Sequence, residues 1–256
     1  MFYTHVGKQL ALWVSIVRAL ITSLFFICSL TVSAHELRWG FASADGQPYV
    51  EVREHQLHGG FIYELGRVAS QRLGYKADFV ETPNKRIEEF MHRGRIHVIC
   101  NNNPQWMKNP ERFHWSEALY SEEDVLLVHR QRQPITDLEG LYGKTLGTQL
   151  GYIYSPALMD AFTQKKIVRQ NLRDYSTGIN LLSMHRLDAM IDMRRPVTHQ
   201  LNKHPDAPVQ INPWVIDRYD MHCAFSPKLP VSADKLDEVL NELREEGVIE
   251  KLLNKN

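Results

Sequence analysis

The stretch RLDAMIDMRRP (186–196) places a carboxylate, Asp192, at the end of the apolar run Ala189-Met190-Ile191, with Arg194 and Arg195 close behind. Such a carboxylate can pair with a cation, or it can bond its own backbone in a turn. Two other apolar runs also end in polar clusters: Cys100 leads into Asn101, Asn102 and Asn103, and Gly147 leads into Thr148 and Gln149. Amides offer both donors and acceptors, and a hydroxyl offers either. The combination suits a ligand site at the carboxyl ends of these strands. Trp106 follows on the Asn loop and could supply an apolar wall; in a core it would need a partner for its N–H.

Catalysis and metal binding are less well served. Glu64, His114, Glu117 and Asp192 could act as acid or base, but no nucleophile–base spacing accompanies them, and no G-x-S-x-G is present. GLYGKT is not a phosphate loop, because Leu138 stands where its first glycine is required. His55 and His58 form H-x-x-H, with His92 and His97 farther along, but HQLH reads as an exposed loop and zinc needs three or four convergent ligands. The expectation from these residues is no cofactor, no metal and no enzyme.

The elements that would position these clusters alternate. A strand at 35–42 is followed by a helix at 59–75, whose Phe61, Leu65, Val68, Ala69 and Leu73 recur at helical spacing before Gly74. A strand (76–82), a helix (84–94) and a strand (96–100) follow. A strand at 124–130 leads to a second series: a strand at 146–148, a helix at 154–164, a strand at 167–172, a helix at 176–186 and a strand at 187–192. A strand at 221–227 and a helix pair at 232–255, broken near Gly247, close the chain. This is an α/β pattern with parallel sheets in two similar units. Open sheets of this kind bind ligands outside the carboxyl ends of their strands, where the three polar clusters fall.

The N-terminus has a separate purpose. Lys8 and Arg18 are the only charges of the first 35 residues, the apolar run 19–32 follows, and Val32-Ser33-Ala34 offers small residues for cleavage. This reads as a signal peptide, 1–34, cleaved after Ala34. A membrane-spanning alternative would be short, or would bury Arg18. Thirty Lys and Arg balance thirty Asp and Glu. Without the leader the chain is slightly acidic, so no field points to nucleic acid. In an oxidising compartment Cys100 and Cys223 are either a disulfide or two buried thiols.

The layout resembles bacterial extracellular solute-binding protein family 3, the periplasmic receptors of ABC importers for amino acids and similar solutes. QPYV (47–50) is similar to the family's Pro-aromatic segment, and GGFIYELGRVASQRLGY to its first helix. FMHRGRIHVIC is similar to its Gly-x-x-Asp element, with His97 in place of the Asp. NPERFHWSEALYSEEDVLLV resembles its Glu-Arg to hinge-strand stretch, DLEGLYGKTLGTQLG its second-lobe opening, and HRLDAMID its Asp-ended strand.

The resemblance implies a two-lobed fold of the type II periplasmic-binding-protein kind. Lobe one is expected at 35–125 plus 221–256 and lobe two at 130–215, with hinges at about 124–130 and 215–221. A small solute would be trapped between the lobes, a membrane permease would be the further partner, and the protein would be a monomer. Lobes of this kind also occur in dehydratases and outside signalling kinases, but no kinase region is present. Asp192 would take a ligand ammonium, Tyr49 would form an aromatic wall, and Tyr152 stands where the family has Thr after Gly151. Cys100 and Cys223 would both lie on lobe-one strands. The family's carboxylate-clamping Arg is replaced by Asn109, which Lys108 and Arg112 flank. Either flanking cation could substitute with a register shift, but neither places a planar guanidinium clamp at that position.

Overall fold

The computed structural model describes residues 35–254. The expected leader at 1–34 lies outside the described residues. Eleven strands and seven helices follow one another among them. They are β1 (Glu36–Phe41), β2 (Glu51–Arg53), β3 (Gln56–Gly59), α1 (Phe61–Arg72), β4 (Lys76–Glu81), α2 (Ile87–His92), β5 (Val98–Asn102), β6 (His114–Trp115) and β7 (Tyr120–His129). Then come β8 (Thr145–Gln149), α3 (Pro156–Thr163), β9 (Val168–Leu172), α4 (Tyr175–Ser183), β10 (Ala189–Met193), α5 (Arg194–Lys203), β11 (Val209–Phe225), α6 (Ala233–Glu245) and α7 (Val248–Leu253).

The main sheet runs β4-β1-β5-β11-β7-β10-β8-β9, and β6 adds to β11. β1 pairs in parallel with β4 and β5, and β8 pairs in parallel with β9 and β10. Between these triplets β7 and β11 run antiparallel to each other, and β11 is long enough, at 17 residues, to pair with β7 and then with β5. The chain is therefore a two-lobed α/β fold whose halves are joined through two crossing strands.

Side-chain alternation explains the core of the second half. Leu126 and Val128 of β7 pack with Ala189 and Ile191 of β10 on one face, while Val125 and Leu127 pack with Met190 on the other. This is the two-residue period of strands covered by helices on both faces. The first half has one larger cluster. Trp39 and Phe41 of β1 meet Phe61 and Leu65 of α1, Phe225 of β11, and Leu240 and Ile249 of the last two helices. Each such side chain contributes about 1.5–3 kcal/mol when fully buried. The Trp39 indole donates to Ser70 Oγ at 2.9 Å, which removes the cost of an unpaired N–H. Ser232 caps α6 by accepting from the Lys235 amide, and Gly247, left-handed at φ 70°, separates α6 from α7.

Several elements differ from the sequence-based expectation. β5 continues through Asn101 and Asn102, so these amides lie within the strand and not beyond it. Residues 194–203 form α5, although RRPVTHQLNK is too polar to show a helical stripe. Pro196 is tolerated because it sits in the first turn, where its missing N–H has no partner to lose. HQLH is half of a hairpin: Glu54 and His55 turn with φ 49° and 63°, the left-handed pair that normally draws Asn-Gly.

Candidate functional site

A cavity of about 560 Å³ opens between the two halves. Its first wall comes from Ala42 and Asp45 beyond β1, from Ile99, Cys100, Asn101 and Asn102 of β5, and from Trp106. Tyr152 and Tyr154, on the loop between β8 and α3, and Met193 of β10 form the opposite wall; Asp124 of β7 and Tyr219 of β11 come from the crossing strands. Lys85 and Lys108 also contribute, but both are exposed.

Asp45 joins the two halves. Its Oδ1 accepts from the Tyr152 hydroxyl at 2.8 Å and its Oδ2 accepts from the Asn101 amide at 3.3 Å. Asn101 Oδ1 in turn accepts from the Tyr120 hydroxyl at 2.7 Å, so both ends of this amide are matched. Asn101 has φ 54°, a left-handed conformation that asparagine tolerates better than most residues. The residue retains some surface, yet its carboxylate is enclosed, and burial raises the Asp45 pKa to about 6 against the lowering effect of Tyr152 and Asn101.

Asp124 is 5% exposed and accepts from the Tyr219 hydroxyl at 2.7 Å. Burial raises its pKa to about 7, the Tyr219 bond opposes this, and the neighbouring charge of Asp192 adds to it. Asp192 is fully enclosed at 1% exposure and lies behind the cavity wall, next to Met193. Its Oδ1 accepts from the Met193 amide at 2.8 Å, while Oδ2 has no well-formed hydrogen bond. The Tyr175 hydroxyl and the Gln149 amide nitrogen are also unmatched, yet both are close enough to favour its ionised form. Burial outweighs them and raises the Asp192 pKa to about 7.

Of the residues singled out from the sequence, Asn101, Asn102, Trp106 and Tyr152 line the cavity. Five others do not. Tyr49 is buried in the first-half core, its hydroxyl bonded to the Glu122 carboxylate, so ordinary packing accounts for it. Asn103 caps a turn by accepting from the Gln105 amide at 2.9 Å and donates to the Asp220 carbonyl at 2.8 Å. Thr148 is buried between Asn171 and Arg169. Arg112 is exposed on the turn 110–112. Asp192, as described, stands one layer back.

Arg194 pairs with Glu123 at 2.6 Å, and Arg195 pairs with Glu122 at 2.7 Å. His97 is buried against β1, where burial and then Arg38 lower its pKa to about 4. Among the described residues no group of three or more His, Cys, Asp or Glu could hold a metal ion. Cys100 and Cys223 are joined as a disulfide across β5 and β11.

Sequence reasoning passed over Asp45, Asp124, Tyr154 and Tyr219. Asp45 could have been found by the rule applied to the other strands, because it follows the carboxyl end of β1. Asp124 gave the signal of an acid heading an apolar strand.

The family described as bacterial extracellular solute-binding proteins, family 3, matches residues 38–256. PatH of Vibrio harveyi, provisionally assigned as an amino-acid ABC transporter-binding protein, is 24% identical over 208 residues, covering 80% of this chain and 82% of its own. The arginine-binding extracellular protein ArtP of Bacillus subtilis (strain 168) is 21% identical over 214 residues, covering 83% of each chain. Among solved structures, an ancestral arginine-binding protein bound to arginine superposes with a TM-score of 0.70 at 20% identity, over 86% of this chain and 97% of that one.

Proposed function

The chain belongs to the bacterial extracellular solute-binding proteins, family 3, and from that premise we propose that it captures a small polar solute, an amino acid or a related compound, between its two halves and delivers it to an ABC importer. The observation that supports this most is the origin of the cavity wall: Asn101 and Trp106 come from one half, Tyr152 and Tyr154 from the other, and Asp124 and Tyr219 from the strands that cross between them. A solute held there touches both halves, so binding energy favours closure over opening. Lobes at 35–125 plus 221–256 and at 130–215 fit this reading, with hinges at 124–130 and 215–221 where β7 and β11 cross.

The relatives' names support the importer: PatH is assigned to an amino-acid ABC transporter, and ArtP binds arginine. The membrane permease is then the partner, and a monomer suffices. Export through a leader cleaved after Ala34 would bring the protein to the periplasm, where the disulfide is stable. Among the described residues no helix is long and apolar enough to cross a membrane. The solute is held and released without chemical change.

The test is a thermal-shift screen of protein that has been unfolded and refolded to strip bound solute. The panel holds amino acids, amines, organic acids, sugars and divalent metals. A ligand at about 100 times its Kd adds about 2.7 kcal/mol of stability, a rise of several degrees in Tm. A stabilising solute recovered intact is the expected result. A panel with no stabilising member, or a solute returned chemically altered, overturns the reading.

A further inference from the structure

We propose that the cavity selects an organic cation that carries no carboxylate, of the amine, alkylated ammonium or guanidine kind. This rests on the solute-capture reading above and narrows it to a chemical class.

Four aromatic side chains line the cavity: Trp106, Tyr152, Tyr154 and Tyr219. The Trp106 and Tyr219 rings meet edge to face, with centroids 5.1 Å apart, and the Tyr152 and Tyr154 centroids are 6.4 Å apart. Ring faces attract cations and give anions nothing. Carboxylates stand among them: Asp45 and Asp124 line the same space, and Glu88 is nearer the loop that carries Lys108. Behind the wall, buried Asp192 keeps an unmatched oxygen. An ammonium or guanidinium entering this space finds both a diffuse and a point-charge partner, and it lowers the cost of ionising the enclosed acids.

A carboxylate entering the same space would meet like charges. No arginine is among the lining residues, and the two lining lysines are both exposed. Asn109 is not among the lining residues, and its amide nitrogen donates to Glu88 Oε2 at 3.0 Å. Arg112 is exposed and does not line the cavity. An α-amino acid would bring its ammonium to a site built for it and its carboxylate to a site with no fixed counter-charge. Buried charge without a partner is disfavoured strongly enough to decide between otherwise identical ligands.

The test compares ligands that share a cation and differ by one carboxylate. Calorimetry on the refolded protein would pair lysine with cadaverine, arginine with agmatine, and glycine betaine with choline. The carboxylate-free member of at least one pair is expected to bind at least tenfold more tightly than its partner. Asp124→Asn and Asp45→Asn should each weaken that ligand tenfold or more while circular dichroism stays unchanged, and either variant serves if the other fails to fold. Equal or tighter binding by the carboxylated member of every pair overturns the inference, as does full affinity in both variants. If no member of any pair binds, the cation class fails, and a neutral or anionic hit in the wider screen would still leave solute capture standing.

Discussion

The two halves share one topology and are finished differently. In the first, β1 lies between β4 and β5; in the second, β8 lies between β9 and β10. Corresponding strands lead to the cavity, β5 through Asn101 and Asn102, and β10 through Asp192 and Met193. The first half completes its own polar end: both amide atoms of Asn101 are matched, by Asp45 and Tyr120. The second half leaves Asp192 Oδ2, Tyr175 Oη and Gln149 Nε2 unmatched in a buried cluster. The first half is also stapled between β5 and β11, and the second has no disulfide among its described residues. The first half thus closes its polar strand end around Asp45 and Asn101, and the second keeps three unmatched polar atoms around Asp192.

The strongest way to break this contrast is to remove the staple. The disulfide spans a sequence separation of 123, and losing a cross-link of that size costs about 2–5 kcal/mol. Denaturant unfolding of a Cys100→Ser/Cys223→Ser protein should show that loss, and possession of the bond itself is checked by thiol counting under unreduced conditions. A loss below about 1 kcal/mol would assign the rigidity of the first half to its aromatic core alone.

A smaller effect comes from the carboxylates. Asp124 and Asp192 are raised to about 7 and Asp45 to about 6, each mainly by burial, from an ordinary value of 3.8. Their folded pKa values lie above the unfolded one. Their contribution to stability is therefore fully present below about pH 4 and is lost as pH rises through about 6 to 7. Asp192→Asn should flatten this decline in the unligated protein and add about 1–3 kcal/mol at pH 8. Asn101→Asp, which places a second carboxylate beside Asp45, should do the reverse by a similar amount. A stability profile of the parent protein that is level from pH 4 to 8 would sink this account.

The smallest effect compares two helical glycines. A Cβ on Gly66 of α1 would stand 2.7 Å from the Phe79 ring and 3.1 Å from Trp39, while one on Gly178 of α4 would stand 2.6 Å from the Met190 sulfur and 3.0 Å from a Leu172 methyl, both ends of flexible side chains. A thioether can move aside where two packed rings cannot. Alanine also gains about 1 kcal/mol of helix propensity over glycine. Gly178→Ala should be close to neutral and Gly66→Ala should cost about 1–2 kcal/mol. Equal losses in Tm for the two would remove the distinction in core stiffness.

Where apolar spacing was dense, the fold was legible in the sequence. The stripe from Phe61 to Ala69 marks α1, the run at 187–192 marks β10, and Gly247 marks the break between the last helices. α5 was hidden because its buried face consists of little more than Pro196 and Val197. Most of β11 was hidden because Pro213 and a series of charged residues interrupt it; the register shifts between Ile211 and Val215 and again before Asp217 absorb these irregularities. In the cavity, Asn101, Asn102, Trp106 and Tyr152 were legible from strand ends and neighbouring loops. Asp45 and Asp124 carried only a positional signal, after β1 and at the head of an apolar run, and the burial that raises their pKa values is a tertiary property.

The path of β11 also sets the order in which the molecule can be finished during synthesis. The second half is a continuous stretch of chain from β7 to the start of β11, whose Val209 and Ile211 complete its core, so it can assemble once those residues follow α5. The first half begins earlier but lacks its inner neighbour for β5, the second cysteine and the two closing helices until residues 209–253 exist. During N-to-C growth of the chain, Trp39 and Phe61 have an incomplete core around them until the last segment is made. The half that starts first is completed last, and for that interval its apolar residues lack the partners that β11 and the two closing helices supply.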